Sequence, residues 1–120
     1  MPLSDLAEEI YAILRQRVPS RTPEITYREL VESLPPLGKP FEDVHWRDAR
    51  LDQALGDIVN ACRAAGLPAL SAIVVNSETG YPGRQYYPMA YPGVTDEDQQ
   101  QIQWANEFEK IKTTTFPPSI

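Results

Sequence analysis

The chain has 120 residues, of which 42% are hydrophobic, so it can form one domain with a modest core and is not compositionally disordered. Its net charge of −6 disfavours a domain whose whole surface binds nucleic-acid phosphates. Binding through a local basic patch stays an open alternative. A single cysteine excludes an internal disulfide and is typical of a reducing compartment. No apolar run of membrane-spanning length and no secretory signal pattern is present, so we expect a cytoplasmic protein.

The first third of the chain predicts two capped helices. Over residues 5–18, apolar side chains recur at spacings of three and four, and Ser4 can cap the first turn. Thr26 and Glu29 have the spacing of a capping box, in which each side chain satisfies a backbone N–H of the other residue. A short helix should follow this box and end at Pro35, because the residue before a proline resists helical angles.

A proline-rich loop and a long helix come next. The loop covers residues 35–46 and includes Pro40. The third helix is predicted from Asp48 to Ala65, with its apolar side chains on one face. Gly66 stands where a residue in the left-handed conformation would end this helix.

Beyond the third helix the sequence predicts a β-hairpin. The β-branched run over residues 70–75 is typical of a buried strand, and residues 76–83 are rich in turn formers. Residues 84–87 can then return as the antiparallel partner. Earlier in the chain, residues 23–25 could pair briefly as an edge strand.

A final helix is predicted to begin at a cap formed by Thr95. The acidic residues that follow this cap complement the helix dipole. The helix carries a bulky stripe formed by Trp104, Phe108 and Ile111. This stripe either covers the core of the domain itself, which is the interpretation we favour, or forms the contact of a homodimer.

The order of the predicted elements resembles a winged helix, which is a helix-turn-helix core followed by a β-hairpin wing. The resemblance covers residues 5–90 and rests on element order, with the capped helix at Thr26 followed by the longer helix at Leu51. It implies an α+β, winged-helix-like fold with three helices, a small antiparallel hairpin and an extra C-terminal helix. We therefore predict one domain over residues 1–112 and a flexible tail over residues 113–120.

Two motifs also resemble segments of uncharacterised bacterial and phage proteins, some of which are linked to restriction-type nucleases. The motifs are Cys62–Asn76 (CRAAGLPALSAIVVN) and Thr79–Gly83 (TGYPG). The resemblance implies a bacterial or phage setting. No named family and no activity follow from it.

The winged-helix resemblance implies a way to bind DNA, because such domains place the third helix in the major groove. Arg47, Arg50 and Arg84 would then contact the backbone, while Gln53 and Asn60 would read bases. Acidic residues balance the arginines of this helix, and phosphate contacts supply most of the non-specific affinity for DNA. A sequence-specific DNA-binding transcriptional regulator is therefore the alternative hypothesis.

The leading hypothesis is a non-enzymatic interaction or regulatory module that binds a protein partner rather than DNA, because the chain is acidic. Tyrosine and arginine are enriched in binding hot spots, and both occur in the predicted wing. The candidate binding residues of the third helix and the wing are Arg47, Arg50, Gln53, Asn60, Tyr81, Arg84, Tyr86 and Tyr87. Some of these tyrosines could instead pack inside the domain.

The sequence predicts neither catalytic residues nor a metal or cofactor site. His45 is the only histidine and has no arranged partner for proton transfer. Cys62 lies on the apolar face of the third helix, where it fits a small core residue. Asp96, Glu97 and Asp98 are typical of the first turn of a helix rather than of a cation site.

Overall fold

The computed structural model describes residues 3–39 and 41–120, so Pro40 of the predicted loop lies outside the described residues. The α-helices across these residues are α1 (Asp5–Arg17), α2 (Tyr27–Glu32), α3 (Ala49–Ala64), α4 (Tyr86–Ala90) and α5 (Glu97–Lys112). The strands are β1 (Ile25–Thr26) and β2 (Val74–Val75), and a 3₁₀-helix (Leu70–Ile73) leads into β2. The described part of the chain is therefore mostly helical.

Helix α3 lies at the centre and packs against α1, α4 and the 3₁₀-helix. Its apolar face buries the side chains of Leu51, Ile58 and Val59 completely. Burial of each such side chain stabilises the folded chain by about 1.5–3 kcal/mol. The Asp48 side chain caps the helix by accepting a hydrogen bond from the backbone N–H of Arg50. The sequence prediction of this helix is confirmed, with Asp48 as its cap.

The two predicted helices of the first third are also confirmed. The Ser4 side chain caps α1 by accepting from the N–H of Ala7 at 3.2 Å. Thr26 Oγ1 accepts from the N–H of Glu29, and Glu29 Oε1 accepts from the N–H of Thr26, both at 3.1 Å. This reciprocal pair is the capping box that the spacing predicted.

The predicted antiparallel hairpin is wrong, and with it the α+β, winged-helix-like fold class. The small sheet is parallel: Ile25 of β1 lies opposite Val74 of β2, and Thr26 lies opposite Val75. Residues 70–73 form the 3₁₀-helix instead of the first half of a strand. Residues 84–87, the predicted return strand, belong to a turn and to the start of α4.

Contacts with helices explain why residues 70–73 do not form a strand. Ser71 Oγ donates to the carbonyl of Leu55 on α3 at 2.8 Å. The Trp104 indole N–H on α5 donates to the carbonyl of Ala72 at 2.8 Å. The segment therefore has helical partners on both sides, and its burial needs no neighbouring strand.

Buried aromatic residues explain why the predicted return strand is helical. Tyr86 and Ala90 are buried and lie four residues apart on one face of α4, and Tyr91, which directly follows the helix, is buried as well. The phenol oxygens of Tyr86 and Tyr91 are hydrogen-bonded to each other at 2.9 Å. Residues 84–87 therefore direct Tyr86 into the core rather than forming an exposed wing.

The final helix begins one residue later than predicted. Asp96, and not Thr95, is its cap, because Asp96 Oδ1 accepts from the N–H of Gln99 at 3.1 Å. Trp104 and Phe108 are half-buried and Ile111 is fully buried, and α5 packs on the 3₁₀-helix. The bulky stripe thus lies against the core of the chain itself.

Residues 113–120 pack against α1, where a flexible tail was predicted. Phe116 is only 3% exposed and joins the hydrophobic core. The Tyr11 hydroxyl donates to the carbonyl of Pro117 at 2.6 Å, and Arg15 Nε donates to the carbonyl of Phe116 at 2.9 Å. The segment is anchored because one aromatic side chain joins the core and two backbone carbonyls accept hydrogen bonds from α1.

An ion pair between Arg63 on α3 and Glu107 on α5 joins the two longest helices. Arg63 donates from Nη1 to Glu107 Oε2 at 2.9 Å and from Nη2 to Oε1 at 2.6 Å. The N–H of Ala69 also donates to Oε2, at 3.1 Å. Burial alone would raise the pKa of Glu107, but the hydrogen bonds from Arg63 and Ala69 outweigh it and hold the pKa below its ordinary value.

Substitution of Glu107 tests this ion pair. Glu107→Gln removes the charge-assisted bonds, and we expect the free energy of unfolding at neutral pH to fall by about 2 kcal/mol, since Arg63 keeps part of its hydration. Urea denaturation measures the change. Glu109→Gln is the matched control, because Glu109 lies on the same helix, is 71% exposed and removes the same charge.

The pH dependence gives a second readout of the same variant. The pKa of Glu107 is lowered in the folded state, so its stabilisation is present above the unfolded value of about 4.5 and is lost as pH falls through the folded pKa. The stability difference between wild type and Glu107→Gln should therefore shrink in acid. An equal cost for Glu109→Gln, or a difference that does not change in acid, would contradict the assignment.

Substitution of Phe116 tests the anchoring of the C-terminal segment. Phe116→Ala removes a buried aromatic side chain, and we expect the free energy of unfolding to fall by about 3 kcal/mol. Thr115→Ala is the control, because Thr115 is exposed next to it. Equal stability of the two variants in chemical denaturation would show that the segment is loosely held.

Candidate functional site

A cleft lies at the carboxyl ends of the two parallel strands. The cleft has a volume of about 330 Å³. Its lining residues are Thr26, Tyr27, Arg28, Trp46, Arg47, Asn76, Ser77 and Glu78. We call it the Trp46 cleft.

Two arginines flank the indole of Trp46 in this cleft. The guanidinium carbon of Arg47 lies 4.4 Å from the ring centroid, and that of Arg28 lies 5.5 Å from it. Trp46 is half-buried, whereas both arginines are exposed. Within residues 3–39 and 41–120, neither guanidinium forms an ion pair with a carboxylate. One indole ring therefore contacts two guanidiniums, and both arginines line the cleft.

A second lobe of about 240 Å³ continues the Trp46 cleft and shares Tyr27, Trp46, Arg47 and Asn76 with it. The Tyr27 hydroxyl accepts from the N–H of Gly83 at 2.7 Å. Gln85 Nε2 donates to Asp52 Oδ1 at 3.0 Å and lies 3.4 Å from the Tyr27 hydroxyl.

Burial is the largest cause of the pKa shifts of Tyr27 and Asp52 in this second lobe. It raises the pKa of Tyr27 to about 12, so the phenol is neutral at physiological pH. Burial also raises the pKa of Asp52, against the opposing hydrogen bond from Gln85. The lobe therefore combines a neutral aromatic wall with a carboxylate whose surroundings disfavour its charge.

A separate groove runs between the turn after β2 and the start of α5. Its volume is about 640 Å³. Its lining residues are Thr79, Tyr81, Pro82, Arg84, Tyr87, Thr95, Glu97, Gln100 and Gln101. Tyr81 is 39% exposed, and its ring lies nearly perpendicular to that of Trp104, at a centroid distance of 5.2 Å. We call it the Tyr81 groove.

The structure brings together three of the predicted binding residues in the Tyr81 groove, namely Tyr81, Arg84 and Tyr87. It does not bring Tyr86 to the surface, because that side chain is 3% exposed. Burial and the neighbouring Tyr91 raise the pKa of Tyr86 far above its ordinary value, which fits a phenol of the core. Its selection as a surface residue followed from the predicted hairpin, which is wrong.

The predicted residues of the third helix are dispersed. Arg47 enters the Trp46 cleft, whereas Arg50 is paired with Asp48 and also donates to the carbonyl of Glu42. The side-chain hydrogen bond from Arg50 holds the pKa of Asp48 well below its ordinary range. Gln53 Nε2 donates to Asp57 Oδ1 on the same helix at 3.0 Å.

The outer face of α3 is also interrupted by α4. A Cβ atom at Gly56 would lie 2.6 Å from Met89 Sδ, so the smooth part of that face is a helix–helix contact. Asn60 is exposed beside a shallow cavity of about 510 Å³ that is also lined by Leu3 and Ile120. Gln53 and Asn60 therefore do not lie on one open recognition surface.

Sequence reasoning missed Arg28, Asn76 and Ser77 as site residues. Each lies within two residues of the end of one of the two short strands, and only the parallel pairing brings those strand ends to one edge. The adjacent Trp46 and Arg47 offered a local signal for the cleft. Nothing in the chain order indicated that Arg28 would reach the same ring.

The structure places Cys62 in the core and His45 at the surface. Cys62 is fully buried, and burial raises the pKa of its thiol. His45 is exposed, and its ring lies 5.5 Å from that of Trp46. Within the described residues, no group of three or more His, Cys, Asp or Glu side chains is placed to hold a metal ion. None of the described helices has both the length and the apolar character that crossing a membrane requires.

No protein-family model, curated protein or solved structure matches this chain. The resemblance to winged-helix domains stays a prediction, since nothing in these comparisons tests it.

The hydrogen bonds of Tyr27 give a testable contribution to the shape of the Trp46 cleft. Tyr27→Phe leaves the N–H of Gly83 without its acceptor, so we expect the free energy of unfolding to fall by about 1 kcal/mol. Tyr87→Phe is the matched control, because its hydroxyl forms no hydrogen bond in the described part of the chain. Equal losses for the two variants in urea denaturation would contradict this role.

Proposed function

We propose that this protein is a non-enzymatic interaction module and that the Tyr81 groove binds an extended segment of a protein partner. The observation that supports this proposal is the convergence of Tyr81, Arg84 and Tyr87 on one groove. Tyrosine and arginine are the residue types that most often supply the binding energy of protein interfaces. The cytoplasm is the compartment we propose for it.

The walls of the groove are partly fixed before any partner binds. Tyr81 packs edge-on against Trp104, and the Trp104 indole is tied to the carbonyl of Ala72. The ring of Tyr87 packs edge-on against buried Tyr86 at 5.6 Å. The rings of Tyr81 and Tyr87 therefore lose little side-chain entropy when a partner binds, which favours affinity.

The chemistry of the groove indicates what the partner segment carries. Arg84 is exposed and forms no ion pair among the described residues, so a carboxylate of the partner can pair with it. The rings of Tyr81 and Tyr87 offer apolar area for a neighbouring side chain. Gln101 is exposed at the same groove, where its amide can bond to an extended backbone.

The side chains of α3 favour a protein partner over duplex DNA. Arg50 is paired with Asp48, and the Gln53 amide is bonded to Asp57. Base reading by Gln53 would have to break that bond, and a carboxylate beside it repels phosphates. The alternative, a sequence-specific DNA-binding regulator, predicts binding of duplex DNA with a steep salt dependence.

A random linear-peptide display library tests the proposal. We expect selection on the wild-type protein to enrich peptides that carry an acidic residue next to an apolar one. Tyr81→Ala and Arg84→Gln should each weaken binding of a selected peptide by about tenfold or more, since each removes a hot-spot contact. Fluorescence anisotropy of labelled peptides measures the affinity.

Arg21→Gln is the matched control, because Arg21 is exposed, lies outside both sites and removes the same charge as Arg84→Gln. Its peptide affinity should equal that of the wild type. Peptides that bind Tyr81→Ala and Arg84→Gln as tightly as the wild type would contradict the groove. Binding of a mixed-sequence DNA duplex with a steep salt dependence would instead support the DNA-binding alternative.

A further inference from the structure

We infer that the Trp46 cleft and its second lobe form a binding site for a nucleoside monophosphate. This inference concerns a different surface from the Tyr81 groove. It rests on two arginines that form no ion pair among the described residues, and on hydrogen-bonding groups in the second lobe, which shares Arg47 with the Trp46 cleft. A ligand that matches both ends carries a phosphate at one end and hydroxyl groups at the other.

The phosphate end is defined by Arg28 and Arg47. Both guanidiniums contact the Trp46 ring, and this contact restricts them without neutralising their charge. Arginine presents N–H donors in a planar fork that matches phosphate oxygens. The hydroxyl of Ser77, which also lines the cleft, can supply a further donor.

The second lobe fits the nucleoside end. Asp52 accepts one hydrogen bond, from Gln85, and a carboxylate has acceptor capacity left for sugar hydroxyls. Gln85 Nε2 faces both Asp52 and the Tyr27 hydroxyl, so its carbonyl oxygen remains as an acceptor. The two lobes share four lining residues, so one ligand can occupy both.

The surroundings of the cleft favour a small phosphate compound over a nucleic-acid strand. A strand needs cations repeated along its backbone, whereas the basic side chains of this cleft are Arg28 and Arg47 alone. Glu78 stands in the same lining, and its carboxylate opposes negative charge beyond what the two arginines neutralise. The net charge of −6 likewise opposes a polyanion.

The two tryptophans make the test specific. Titration with AMP, GMP, CMP and UMP is followed by two-dimensional NMR of the two indole N–H signals. We expect the Trp46 signal to shift with at least one nucleotide. The Trp104 signal should stay in place, because its N–H is bonded to the carbonyl of Ala72. The matching nucleoside and inorganic phosphate should each bind at least about tenfold more weakly than the nucleotide, since each fills one end only.

Variants assign the two ends of the ligand. Arg28→Gln and Arg47→Gln should each weaken nucleotide binding by about tenfold or more, because each removes a charge-assisted hydrogen bond. Asp52→Asn should weaken binding of the nucleotide and the nucleoside but not of inorganic phosphate. Arg21→Gln, which removes the same charge at an exposed residue outside the lining of both lobes, should bind like the wild type.

Three results would overturn the inference. The first is a Trp46 signal that does not move with any of the nucleotides at millimolar concentration. The second is equal nucleotide affinity in the wild type, Arg28→Gln and Arg47→Gln, each checked for folding by circular dichroism. The third is inorganic phosphate that binds as tightly as the nucleotide, which would leave the second lobe without a role. None of these results affects the proposal for the Tyr81 groove, which is measured with peptides.

Discussion

The buried carboxylate of Glu107 is the contact on which the arrangement of the helices depends. It accepts from both terminal nitrogens of Arg63 and from the N–H of Ala69, so its charge is matched by three donors. Arg63 also reaches the carbonyl of Ala90 at 3.3 Å, at the end of α4. A carboxylate that is 7% exposed would be costly without these partners, so the donors must keep their positions in the folded chain.

Both candidate sites inherit their geometry from this contact. Ala69 directly precedes the 3₁₀-helix, which leads into β2. The hydrogen bond from its N–H to Glu107 therefore helps to position β2 beside β1. The ends of these two strands border the Trp46 cleft. Glu107 lies on α5, and the position of α5 determines where Trp104 contacts Tyr81 of the Tyr81 groove. The two sites use different surfaces, yet each is built on a segment that Glu107 holds.

Features that depend on neighbouring residues could be read from the sequence. The caps of α1 and α2 and the apolar face of α3 involve residues within four positions of one another, so their spacing is sufficient. The pairing of β1 with β2 joins positions 25 and 74, and no local pattern records it. The β-branched run at 70–75 fits a buried 3₁₀-helix as well as a strand, because periodicity does not separate short apolar segments.

The difference between local and long-range contacts also decides which residues of the candidate sites could be predicted. Tyr81, Arg84 and Tyr87 are close in the chain, and residue type alone selected them. Arg28 and Arg47 come from different segments, and only the folded chain places both over one indole.

The acidic balance of the chain and its exposed arginines act over different distances. A net charge of −6 repels polyanions over the range of the field, but salt at about 0.1 M screens that field beyond about 10 Å. The guanidiniums of Arg28 and Arg47 lie 5.5 Å and 4.4 Å from one ring, so a single phosphate within the cleft is inside the range of both. A long phosphate backbone would extend past that range, where the net charge of −6 opposes it. The charge distribution that disfavours nucleic acid as a partner is therefore compatible with a site for one phosphate.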